Sequence, residues 1–120
     1  MAAHRGVYPV IVAAGDAGAI AGFASLSPYR PRPGYSTTAE DSVYVASTRR
    51  GQGIGRLLLE ELMEMASAHG FHSVIGRIVA EHEASIALHR ACGFELIGVE
   101  REIGRKFGRW LDVALMQRML

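Results

Sequence analysis

The sequence contains one cysteine, Cys92, in 120 residues, so no intramolecular disulfide can form, and a reducing cytosol suits its chemistry. It has no excess of charge either: 13 Lys and Arg stand against 12 Asp and Glu. That balance, with basic residues only in short local groups, argues against a nucleic-acid partner. Long apolar runs are absent as well. Residues 7–14 are apolar but too few to span a bilayer, and residues 17–26 are broken by Gly18 and Gly22. Neither a membrane segment nor a targeting segment is expected. Proline is scarce, and three of the four prolines fall in Pro28-Tyr29-Arg30-Pro31-Arg32-Pro33-Gly34. That stretch excludes both helix and central strand, and reads as a stiff surface loop. The histidines His4, His69 and His72 are scattered without ligand spacing, so no metal site is expected.

What is present is an ordinary globular mix, 49% hydrophobic and 21% charged. No repeat or linker divides it, and a single domain over residues 1–120 is expected. Residues 7–14 and 19–27 favour a pleated surface and flank Gly15-Asp16-Ala17-Gly18, which predicts an antiparallel hairpin. Residues 38–46 alternate, with Val43 and Val45 on one face and Ser42 and Tyr44 on the other. Ile54, Leu58, Leu62 and Met65 recur at helical spacing, so residues 54–69 form an amphipathic helix ended by Gly70. Arg56 stands four residues before Glu60, an exposed pairing of modest value.

Residues 71–79 form a strand parallel to the third, completing a βαβ unit. Residues 83–91 form a short helix closed by Gly93. Residues 94–101 and 110–119 are strands joined through Gly104 to Gly108, with Phe107 and Trp110 expected to pack. The order β-β-β-α-β-α-β-β gives an α+β, mixed-sheet fold with two helices.

Between the third strand and the long helix lies Arg49-Arg50-Gly51-Gln52-Gly53-Ile54-Gly55-Arg56. Glycines at alternate positions let a ligand approach the backbone amides closely. The helix that starts here adds unpaired N–H groups and the positive end of its dipole. With three arginines at the rim, the segment is an anion site. It is neither a P-loop, which needs a Gly-Lys-Ser/Thr ending, nor a dinucleotide fingerprint, since Arg56 stands where the third glycine belongs. A glycine-rich turn that only starts a helix is the plainer alternative, and the arginines weigh against it.

Arg50-x-x-Gly53-x-Gly55, set after a strand and before a long helix, resembles the acyl-CoA loop of the GNAT family of N-acetyltransferases. Residues 38–45, 84–89, Gly93-Phe94 and 104–113 are similar to the phosphinothricin and methionine sulfoximine acetyltransferase branch. The resemblance implies that the two parallel strands splay apart and that acetyl-CoA enters the wedge between them. The pantetheine arm would bond to the backbone of Val43 and Val45, the pyrophosphate would sit on Gln52, Gly53, Gly55 and Arg56, and Tyr44, Arg50, Gly51, Ile54, His82 and Ser85 would complete the cofactor site.

The same resemblance implies that Glu40 is the base that accepts the amine proton. By spacing alone Glu40 would read as a solvated strand-end carboxylate. His82, Ser85 and His89 share one helix face, and the resemblance implies that His89 acts as an acid or positions the sulfur. Relatives usually carry asparagine at the position of His82, so this cofactor contact is altered here. Tyr35 and Arg32 of the proline loop are candidate substrate contacts, and Cys92 reads as a small buried residue. Family members begin with a strand and two helices that wall the acceptor pocket, and this sequence starts at the second strand. A fragment, a pocket completed by a partner subunit or an open acceptor site would each fit. The resemblance implies a cytoplasmic homodimer acting on a small amine. A non-catalytic acyl-CoA-binding or dimerising module is the alternative.

Overall fold

A computed structural model describes residues 8–15, 18–30 and 32–120. His4, Val7, Asp16, Ala17 and Pro31, on which parts of the sequence reading fall, lie outside the described residues.

Strands β1 (Val10–Ala14), β2 (Ile20–Pro28) and β3 (Thr38–Val45) run antiparallel in sequence. Helix α1 (Ile54–Ala68) crosses to β4 (Ser73–Val79), which lies parallel to β3. Helix α2 (Glu83–Ala91) leads to β5 (Glu95–Lys106) and β6 (Arg109–Met119), and β6 inserts between β4 and β5. The six-stranded sheet has the order β1-β2-β3-β4-β6-β5. The expected α+β class and element order are therefore the observed ones.

Helix α1 buries Leu58, Leu59, Leu62, Met63 and Ala66. The expected stripe is displaced: Met65 is half-buried at its edge, while Leu59 and Met63 are inside. The helix lies across β1, β2 and β3, and covering three strands takes a broader apolar face than one ridge. Arg56 and Glu60 pair at 3.4 Å on the exposed side. The helix closes as Phe71 N–H donates to the Ala66 carbonyl at 3.0 Å, and Gly70 supplies the left-handed turn at φ 89°. Below α1 the core contains Ala24, Leu26, Ala39, Val74, Ile78 and Met116, closed by Phe71 and Phe94. Each large side chain buried there contributes roughly 1.5–3 kcal/mol. The opposite sheet face is open: Val10, Val12, Phe23 and Tyr44 are exposed, and the Phe23 and Tyr44 rings stack 5.6 Å apart.

The β5–β6 hairpin departs from expectation. Its turn is Phe107-Gly108, with φ of 51° and 74°, while residues 104–106 belong to β5. A bulge at Glu102, whose amide donates to Asp112 Oδ1 at 2.8 Å, lets β5 run past the end foreseen for it. Phe107 is 89% exposed and Trp110 57%, so neither packs into the core. The reason is reach: β4 pairs with β6 only as far as Val113, so the hairpin runs on beyond the strand beside it. The Arg105 guanidinium instead lies 4.7 Å over the Trp110 ring. Among the described residues no helix is long and apolar enough to cross a membrane.

Strands β3 and β4 pair over only Thr38↔Ser73, Ala39↔Val74 and Glu40↔Ile75. Beyond that point β3 stays with β2 to Val45, and β4 stays with β6 to Val79. The parallel pair therefore splays after Glu40 and Ile75, leaving the inner edge of β3 without a strand partner.

Candidate active site

The loop entering α1 begins as a short 3-10 turn, Ser47–Arg49, and continues through Arg50 to Gly53. Gly51 and Gly53 have φ of 80° and 79°, a left-handed backbone that a Cβ would strain. Leu57 is the first α1 amide with a helical acceptor, the Gly53 carbonyl at 3.1 Å. The amides of Ile54, Gly55 and Arg56 precede it and point out of the helix end. Gly55 is bare for another reason. A Cβ there would come within 3.3 Å of Leu88 and 3.4 Å of Val45, so its absence lets α1 approach α2 and β3. Arg50 Nε donates to the Val45 carbonyl at 3.4 Å, and Arg49 Nε donates to Gln52 Oε1 at 3.1 Å.

From this loop a cleft of about 410 Å³ runs into the wedge. Its walls are β3 at Val43, Tyr44 and Val45, the loop and first turn of α1, and α2 at His82, Ser85 and Leu88. All the cofactor residues named from the sequence line it except Gln52, whose side chain is turned to Arg49. The Tyr44 ring lies on the open sheet face against Phe23. His82 is the N-cap residue of α2, but its ring makes no capping bond. Its carbonyl accepts from the amides of Ser85 and Ile86, both at 3.2 Å.

A second cleft, about 310 Å³, meets the first at Val43, His82 and Ser85. Glu40, Ser42 and Arg77 line it. Glu40 is half-buried at the vertex of the splay, the last β3 residue paired with β4. Arg77 pairs with Glu100 at 2.5 Å. The hydrogen bond to Glu100 raises the Arg77 pKa against the opposing effect of burial, and the negative charges of Glu100 and Glu40 add to the rise. Arg32 and Tyr35 flank and close a short turn, with Tyr35 edge-on to Tyr29 at 6.5 Å; neither lines these two clefts.

His89 lines the second cleft from α2 and is held by two hydrogen bonds. It is 3% exposed; Nδ1 donates to the Ser85 carbonyl at 2.8 Å, and Nε2 shares a hydrogen bond with Asp41 Oδ2 at 2.7 Å. The edge of the ring meets Phe94, centroids 4.9 Å apart. Burial pulls the His89 pKa down, but the hydrogen bond to Asp41, its charge and the Ser85 carbonyl outweigh that and raise it. Both ring nitrogens are thus engaged within the protein, and His89 and Asp41 together form part of the wall of the second cleft.

The sequence reading missed Asp41. The signal was available in the β3 alternation, which places Asp41 on the buried side with Ala39 and Val43. A charged residue there needs a buried partner. Among the described residues no group of three or more His, Cys, Asp or Glu could hold a metal.

Comparison with known proteins follows the same lines. The sequence model described as "Acetyltransferase (GNAT) family" matches residues 2–94. The L-methionine sulfoximine/L-methionine sulfone acetyltransferase of Pseudomonas paraeruginosa is 46% identical over 110 residues, which cover 92% of this chain. The phosphinothricin N-acetyltransferase of Streptomyces coelicolor is 46% identical over 101 residues, 84% of this chain. The chain spans 64% of the first relative's length and 59% of the second's. Among solved structures, a ribosomal-protein-alanine N-acetyltransferase from Brucella melitensis is 50% identical with a TM-score of 0.92, covering 97% of this chain and 71% of its own. A phosphinothricin acetyltransferase from Sinorhizobium meliloti, solved in complex with AcCoA, is 49% identical with a TM-score of 0.90, covering 94% of this chain and 61% of its own. The chain belongs to the acetyltransferase (GNAT) family.

Proposed function

We propose that the chain carries an acetyl-CoA-dependent N-acetyltransferase site acting on the amine of a small amino-acid-like acceptor of the methionine sulfoximine or phosphinothricin type. One observation carries this reading: an anion-binding cleft and a carboxylate-bearing cleft meet at Val43, His82 and Ser85, where β3 and β4 part.

The residues fit acetyl-CoA. The outward amides of Ile54, Gly55 and Arg56, with the left-handed Gly51 and Gly53, suit a pyrophosphate, and Arg50 and Arg56 add charge. The unpaired edge of β3 at Val43 and Val45 suits the amide-bearing pantetheine arm, which would add to it like a strand. Acetyl-CoA supplies the acetyl group as a thioester. The β3 backbone would polarise the acetyl carbonyl, and Glu40 would take the proton from the attacking amine, directly or through water, as the C–N bond forms and the C–S bond breaks, with CoA leaving as a thiolate. Tyr35 and Arg32 contact the acceptor once the pocket is filled. We place the protein in the cytoplasm as a homodimer, with the open sheet face at Val10, Val12 and Phe23 as a physical reason to associate.

A second reading, a non-catalytic acyl-CoA-binding or dimerising module, is favoured by that same open face beside the acceptor cleft. Titration with acetyl-CoA, followed by thiol release with a panel of amino-acid-like amines, separates the two. Binding with turnover on at least one amine is the expected result. Binding without turnover on any would favour the module, and no binding would contradict both.

A further inference from the structure

Three buried features converge where β3 and β4 part. The last paired residues are Glu40 and Ile75, so the next on each strand are Asp41 and Gly76, both buried. His89 of α2 lies over that point, with Nε2 on Asp41 Oδ2 at 2.7 Å. A Cβ on Gly76 would come within 2.9 Å of both His89 Cδ2 and Asp41 Oδ1, and 3.1 Å from His89 Nε2. Imidazole and carboxylate thus rest directly on the β4 backbone, in space that only glycine leaves free. Among the described residues Asp41 Oδ1 is buried without a hydrogen-bond partner, and the carboxylate's hydrogen bonding there rests on His89. The other ring nitrogen is tied to the carbonyl of Ser85, a residue lining both clefts. The pair therefore touches β3, β4 and the cleft-facing turn of α2 at once.

We propose that Asp41 and His89 are positioning residues: seated on Gly76, the pair pins α2 to β3 at the vertex of the splay and fixes the width of the wedge that receives the pantetheine arm. This inference rests on the acetyl-CoA reading of that wedge. It assigns His89 a place in holding the cofactor cleft open, in contrast to proton delivery, and it gives Asp41 and Gly76 roles in acetyl-CoA binding although neither reaches the phosphate loop.

Three variants and one spectrum test it. Asp41→Asn keeps the volume and removes the charge, and Gly76→Ala leaves both partners intact but adds a methyl group beneath them. Met63→Ala loosens the core away from both clefts and serves as the control. Asp41→Asn and Gly76→Ala should each raise the acetyl-CoA Kd about tenfold or more, because small misplacements of a binding wall are costly. The KM for acetyl-CoA should rise with it. Met63→Ala should change Kd by less than about twofold, as expected for a distant site. Unchanged Kd in both vertex variants, or an equal loss in Met63→Ala, would overturn the inference.

Should the vertex variants fail to fold, nitrogen NMR of the parent chain decides. The buried, hydrogen-bonded His89 ring N–H should exchange slowly with solvent and its signal should stay unmoved by acetyl-CoA; fast exchange, or a shift on binding, would overturn the proposal. If the parent fails to bind acetyl-CoA, the functional reading falls and takes this inference with it. If the parent binds and the vertex variants bind equally well, only this inference falls.

Discussion

His89 Nε2 and Asp41 Oδ2 lie 2.7 Å apart across 48 positions of sequence, both buried, joining a helix of the second half to a strand of the first. The bond sits where the parallel strands separate, so the same contact serves stability and the shape of the cleft.

Its pH dependence has a definite sign. The His89 pKa is raised above the ordinary 6.5 because Asp41 and the Ser85 carbonyl outweigh the opposing effect of burial. A raised histidine pKa gives stability that is fully present below the unfolded value and lost as pH rises through the folded one. Urea midpoints should therefore fall as pH rises above about 6.5, and Asp41→Asn should flatten that decline. The same variant should cost about 3–5 kcal/mol at mildly acidic pH, since it strands a buried charge. An Asp41→Asn profile parallel to the parent's would contradict the assignment.

Gly53 supplies a second test, through backbone geometry. At φ 79° it caps α1 in a left-handed conformation, which costs a residue with a Cβ about 1–2 kcal/mol. Gly53→Ala should lower the unfolding midpoint accordingly and weaken acetyl-CoA binding. Gly53→Asn should lose less stability, because asparagine tolerates that region. Equal midpoints for parent and Gly53→Ala would refute the geometry.

The packing of α1 makes a third prediction. Leu62 is fully buried, and Leu62→Ala should destabilise by about 2–5 kcal/mol in urea unfolding. Leu57 is on the same helix but 68% exposed, so Leu57→Ala should stay within about 0.5 kcal/mol of the parent. Similar losses in the two would mean that the helix faces the sheet with another side.

How much of this was legible in the sequence depends on how local each signal is. Alternation in β3, the helical spacing of Leu58 and Leu62, and the glycine closing α1 are written in neighbouring residues. The element order could be read from them. The phosphate loop is equally local, with its glycines and arginines within a few positions. Three features were not. Met63 and Leu59 joined the core because α1 spans three strands, which periodicity alone does not reveal. Phe107 and Trp110 are hydrophobic yet exposed, because the hairpin outruns the strand beside it. Asp41 and His89 meet only through the tertiary fold. Helix-face spacing grouped His89 with His82 and Ser85, but could not say that its ring turns inward to a carboxylate on β3.

Glu40, in the second cleft at the vertex of the splay, is proposed to accept the proton when an amino-acid amine is acetylated. The direct measurement follows thiol release and N-acetylated product from acetyl-CoA and L-methionine sulfoximine, for the parent chain and for Glu40→Gln. Matched amounts of the two products are expected from the parent, and a kcat about 10²–10⁴-fold lower in the variant with acetyl-CoA Kd unchanged. Equal kcat in parent and variant would contradict it.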